Sequence, residues 1–132
     1  EIVLAVGGLV FDRLGEIAGL AEAESSAKRA RAVLVDALID MAVENRHLAR
    51  FLHHDPIMLR LFDEHEPFRR IMERLNRALL GERVEPGARV TAAMLVTSIG
   101  GAVIHPLVSD VDNETIRSQL RSCAHSLLRF MN

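Results

Sequence analysis

The side chains best suited to chemistry gather near the middle of this 132-residue chain. His47, His53, His54 and His65, with Glu44, Asp55 and Glu64, are the residue types that ligate transition metals or move protons. Glu44 and His47 have the Glu-x-x-His spacing used in bundle di-iron sites. Such a site needs a second copy of the motif, and the chain has none. His53 and His54 sit beside a helix start, where hydrophilic residues are common, and the spacing does not bring three ligands to one point. The cluster therefore reads as a solvated charged turn, and no metal or other cofactor is expected.

Other constellations are weaker. There is no Gly-x-Ser-x-Gly elbow, phosphate loop, His-Glu-x-x-His or paired-cysteine motif, so the chain is not expected to be an enzyme. Cys123 falls on an apolar helix face and reads as a small buried hydrophobe. Arg117, Arg121, His125 and Arg129 repeat every four residues. They could meet phosphate or an acidic partner, but in a slightly acidic domain they read as the solvated back of a helix. Asn45 interrupts an apolar stripe, so its amide must find a partner: nearby backbone at a helix break, or a ligand.

These residues need helices to position them. Apolar residues recur at spacings of three and four, and no segment alternates with period two, so the expected fold is an all-α bundle of about six helices. The first helix is expected over 2–21, on the stripe Val3, Val6, Val10, Leu14, Ile17 and Leu20. Its glycines, Gly7, Gly8, Gly15 and Gly19, suggest close approach by a neighbour or a deformable helix. Ser25 or Ser26 caps the second helix, which runs to about His53 with a break near Asn45. Asp55-Pro56 and Glu66-Pro67 each start a further helix, and Gly81 stops the latter.

Val90 to Val108 holds no charged residue. Thr91, Thr97, Ser98, His105 and Pro106, with no flanking aromatic belt, argue against a membrane span. Small residues Ala93, Thr97 and Gly101 share one face, with Gly100 beside it. Small side chains let two helix axes approach closely, so the cover is a symmetric partner or another helix of the same chain; the partner is the expected one, because the final helix also presents an apolar face that must be covered. Asp112 caps the last helix, whose apolar face is Ile116, Leu120, Cys123, Leu127 and Met131. The chain thus reads as half of a homodimer built from its last two helices, with Ala93, Thr97, Gly100, Gly101, Ile104, Ile116, Leu120, Cys123 and Leu127 at the interface.

The length suits one domain spanning 1–132. A net charge of −2 argues against nucleic-acid binding by this segment. A single cysteine fits a reducing, cytoplasmic compartment, and no signal peptide is visible. The chain begins without Met, inside an apolar pattern, which reads as a fragment whose N-terminal part is missing.

Three stretches resemble the C-terminal regulatory domain of the tetracycline-repressor (TetR) family of bacterial transcription regulators: 1–6, 46–56, and 92–108 with the following Asp112-Asn113-Glu114-Thr115. The family's helix-turn-helix has no counterpart here, so DNA contact is expected only through a missing N-terminal domain. The resemblance implies a small, mainly apolar or amphipathic effector that enters a cavity among the first helices and controls operator binding. Phe11, Leu14, Met41, Phe51, Phe62, Met72 and Met94 are its expected walls, with polar groups near Asn45 and His47. The competing reading is a helical dimerisation or adaptor module with no small ligand.

Overall fold

A computed structural model describes residues 2–47, 60 and 63–131, with side chains from Gly8 onward. Among the described residues the fold is all-α, with no strand. The helices are α1 (Ile2–Glu22), α2 (Ala27–Glu44), α3 (Glu66–Leu80), α4 (Pro86–Val103) and α5 (Asn113–Leu128), with a short 3-10 turn at Pro106–Val108. The further helix expected from Asp55-Pro56 lies outside the described residues, as do His53, His54, Phe51 and Phe62. No described helix is long and apolar enough to cross a membrane.

Local chemistry accounts for the helix ends. The Ser26 hydroxyl accepts a hydrogen bond from the Arg29 N–H at 3.3 Å, capping α2. Pro67 and Pro86 stand in the first turns of α3 and α4, where their missing N–H groups cost nothing. Gly81 closes α3 with φ at 61°, a backbone state that side chains disfavour. Asp112 accepts from both the N–H and the hydroxyl of Thr115, at 3.1 and 2.6 Å, and caps α5. These bonds, above all those from Thr115, hold its carboxyl below the ordinary carboxylate range.

Helix α2 is the axis of the fold. It packs against α1, α3, α4 and α5, while α1 also meets α3 and α4 meets both α3 and α5. Its buried set is accordingly broad: Ala30, Arg31, Leu34, Val35, Ile39, Ala42 and Val43. Narrower stripes face it, with Ile71, Leu75 and Leu79 on α3 and Ala88, Ala92, Leu95, Ile99 and Val103 on α4. Ile17 and Ala18 of α1 and Met131 beyond α5 are fully enclosed in the same core.

Two expectations need correction. Gly8, Gly15 and Gly19 of α1 do not mark close approach by any described residue of this chain. At Gly8 and Gly19 an added Cβ would meet nothing within 4 Å, and at Gly15 it would meet only Ile71 Cδ1 at an ordinary 3.6 Å. The basic stripe of α5 is not a solvated back either. Arg117, Arg121 and His125 turn toward α2 and pair with its carboxylates, so acidic α2 residues far away in sequence set the orientation of α5.

Candidate functional site

Helices α1, α2, α3 and α4 leave a cavity of about 190 Å3 between them. Leu14 of α1, Leu34, Leu38, Met41 and Ala42 of α2, Met72, Leu75, Asn76 and Leu79 of α3, and Val96, Ile99 and Gly100 of α4 line it. The void follows from residue sizes. Where four helices meet around Ala42 and Gly100, two of the facing positions carry almost no side chain, and the flexible thioethers of Met41 and Met72 edge the gap instead of filling it. Asn76 is the one polar side chain in this lining, and it is exposed, so it stands at the mouth.

Of the walls expected from the sequence, Leu14, Met41 and Met72 line this cavity. Phe11 lies beside the core, its ring meeting that of His65 edge-on at 5.7 Å. Met94 is 54% exposed, on the opposite side of α4 from the cavity. Asn45 ends α2 and turns its amide back, donating to the Met41 carbonyl at 2.8 Å, while His47 is exposed; neither lines the cavity. Phe51 and Phe62 lie outside the described residues. Asn76, Val96 and Gly100 were not anticipated as walls. From Val90 onward helix α4 is uncharged, so that part of its sequence carries no clear phase to separate inside from outside.

The expected interface residues divide in the same way. Ala93, Thr97 and Cys123 are exposed, and Gly101, Ile104, Leu120 and Leu127 are partly so. At Gly101 an added Cβ would meet nothing within 4 Å. Ile116, only 5% exposed, belongs to the chain's own core, and Gly100 faces the cavity. On α5 the inward positions are Ile116, Ala124 and Leu128, leaving Cys123 outside rather than buried. The outer face of α4 therefore carries Val90, Ala93, Met94, Thr97 and Gly101, and Val90 is 58% exposed.

A polar seam runs along the other flank of α2. Asp40 accepts from Arg117 Nε at 3.0 Å and from Arg121 Nη2 at 2.8 Å. Asp36 meets His125 Nε2 at 2.8 Å, and Glu114 holds the far side of Arg117. Arg121 Nε is buried 4.0 Å from Asp36 and has no hydrogen-bond partner among the described residues. At the end of the seam Arg46 binds the turn that joins α4 to α5. Its guanidinium donates to the carbonyls of Val103 at 3.1 Å, Val108 at 2.9 Å and Val111 at 3.0 Å, and to Asn113 Oδ1 at 2.9 Å. Val103 closes α4, so the cation also meets the negative end of that helix. No local pattern around Arg46 announces this role, because its partners lie 57 to 67 residues away.

Arg31 is another unforeseen feature, a cation only 5% exposed on α2. Burial, and secondarily the nearby Arg83, lower its pKa from the ordinary guanidinium value. Among the described residues no group of three His, Cys, Asp or Glu side chains is placed to hold a metal ion. Against family models, curated proteins and solved structures the chain finds no match.

Proposed function

We propose that this chain is the effector-sensing and dimer-forming part of a transcription regulator of the tetracycline-repressor type. One observation carries the reading. The apolar cavity shares helix α4 with an exposed face of small residues: Ile99 and Gly100 line the cavity with Val96, 39% exposed, at its rim, while Ala93 and Thr97 are exposed and Gly101 partly so. A ligand pressing on the inner wall of α4 acts on the same rigid element that a second copy would grip. Arg46 ties that helix to α5, so the two move as a hairpin. Occupancy then shifts the dimer between two placements only by the ligand's differential affinity for them. DNA is contacted by an N-terminal domain outside this chain, in a cytoplasmic regulator with no catalytic role.

The test has two arms. Light scattering at tens of micromolar gives twice the chain mass for the wild type. Gly101→Arg gives the monomer mass with unchanged helix content, because the new side chain meets open space within its own chain. A wild-type monomer removes the dimer. A library of small apolar compounds that leaves the melting temperature unmoved favours the adaptor module instead.

A further inference from the structure

The geometry points to an effector that is uncharged, mostly hydrocarbon and about the size of one substituted benzene ring, with a single hydrogen-bonding group held by Asn76. This rests on the effector-sensing reading of the same cavity and narrows it to a ligand class.

Volume sets the size. An apolar protein cavity of about 150 Å3 takes benzene, and a water molecule accounts for about 30 Å3 of liquid. A cavity of about 190 Å3 therefore holds one ring with one or two further heavy atoms, and a fused second ring would have to project through the mouth beside Asn76 and Val96. Chemistry sets the charge. Every lining side chain but Asn76 is hydrocarbon or thioether, and no charged side chain lines the cavity among the described residues. A carboxylate or ammonium group drawn among these walls would lose its hydration, and at the mouth it would find Asn76 but no lining countercharge among the described residues. Asn76 sets the polar handle. Its amide both donates and accepts, so it meets a hydroxyl in either sense, and its place at the mouth puts that hydroxyl at the outer end of the ligand. Met41 and Met72 adapt to the contour of the ring, so the walls discriminate by volume and charge more than by substitution pattern.

Four probes separate these claims at pH 7: toluene, 4-methylphenol, 4-methylbenzoate and 2-naphthol. Calorimetry and thermal melts of the intact chain are expected to show saturable binding of toluene and 4-methylphenol, with 4-methylbenzoate and 2-naphthol at least tenfold weaker. Asn76→Leu weakens 4-methylphenol about two- to tenfold and leaves toluene unchanged, as loss of one hydrogen bond requires. Ala42→Phe fills the cavity and removes both, with circular dichroism reporting whether that variant folds; the Asn76→Leu comparison stands without it. Binding of 4-methylbenzoate or 2-naphthol as tight as that of 4-methylphenol overturns the ligand class while leaving a sensor in place. Equal weakening of toluene and 4-methylphenol by Asn76→Leu overturns the role of Asn76. Silence from all four probes overturns the class, and if a broad apolar library is silent too, the sensor reading falls with it.

Discussion

The two flanks of helix α2 share one hydrocarbon core, but only the flank toward α5 adds a seam of ion pairs to it. Toward α1, α3 and α4 the contact is hydrocarbon: Leu34, Leu38, Met41 and Ala42 line one cavity with Leu14, Met72, Leu75, Leu79 and Ile99. Toward α5 and the α4–α5 turn, buried Ile116, Ala124, Leu128 and Met131 continue the same core, but a polar seam borders it, built from Asp36, Asp40 and Arg46 with Arg117, Arg121 and His125. The hydrocarbon flank contributes most of the stability but accepts many packings, and it tolerates a cavity because no polar group inside demands a partner. The polar flank contributes less net energy, since each ion pair gives up hydration. It does fix register, because Asp40 can reach both Arg117 and Arg121 in only one rotation of α5.

The sharpest way to break this contrast is to cut into each flank. Leu34→Ala removes a side chain that is 1% exposed and already lines the cavity. The loss is expected to be about 4 kcal/mol, transfer and cavity terms together, read as a lower urea midpoint. The enlarged space should also admit 2-naphthol, a gain that no polar-flank substitution can give. Arg46→Met comes next, at about 3 kcal/mol, because it strands partly buried carbonyls of Val103, Val108 and Val111. Arg46→Lys recovers only part of this, since one ammonium cannot reach all four acceptors. If Arg46→Met costs nothing by chemical denaturation, the hairpin does not depend on the clamp.

Asp40→Asn is a milder cut, expected to cost about 1 kcal/mol. The amide still offers one acceptor, but Arg117 is left with Glu114 and Arg121 with Asp36 at 4.0 Å as their countercharges. Arg121 Nε is already unsatisfied, so the seam starts from an imperfect arrangement and the loss is bounded. The diagnostic is specificity. Asp40→Asn should broaden the amide spectrum of α5 more than Leu34→Ala does, although it costs less stability. The reverse order would place fold specificity on the hydrocarbon side.

The flanks also differ in how far the sequence revealed them. Helix ends were readable because they depend on one or two local residues: Ser26, Pro67, Gly81 and Asp112 each act within a turn of their own position. The hydrocarbon flank was readable where apolar residues recur at helical spacing, as with Leu14 and Ile17 on α1, although Leu20 of the same stripe is 52% exposed. It failed on α4, where the sequence from Val90 onward gives no phase; Met94 was expected inside, while Ile99 and Gly100 line the cavity with Val96 at its rim. The polar flank was hidden. Arg117 and Arg121 look like a solvated stripe until Asp40, 77 and 81 residues away, is brought against them. Long-range charge pairing leaves no periodicity in either partner's own segment. Asn45 lay between these cases, since its bond to Met41 is local but its outward position depends on where α2 ends.

The smallest expected effect comes from an ion pair on the rim of the hydrocarbon flank. Glu22 of α1 accepts from Arg74 of α3, with the Nε contact at 3.1 Å, and both side chains are more than one-third exposed. Hydrogen bonds from Arg74, aided by its charge and that of Arg77, lower the Glu22 pKa below its ordinary 4.5 despite some desolvation. A carboxyl whose folded pKa is depressed stabilises the fold above its unfolded pKa and loses that contribution as pH falls through the folded value. The wild type should therefore exceed Glu22→Gln by about 0.5 kcal/mol or less between pH 6 and 8, measured by urea denaturation at low salt. The difference should shrink progressively below about pH 4.5 and should narrow further in 1 M salt, where the screening length is about 3 Å. A gap that widens toward acid would mean that Glu22 is stabilised in its protonated form, and the rim of the hydrocarbon flank would then need a different account.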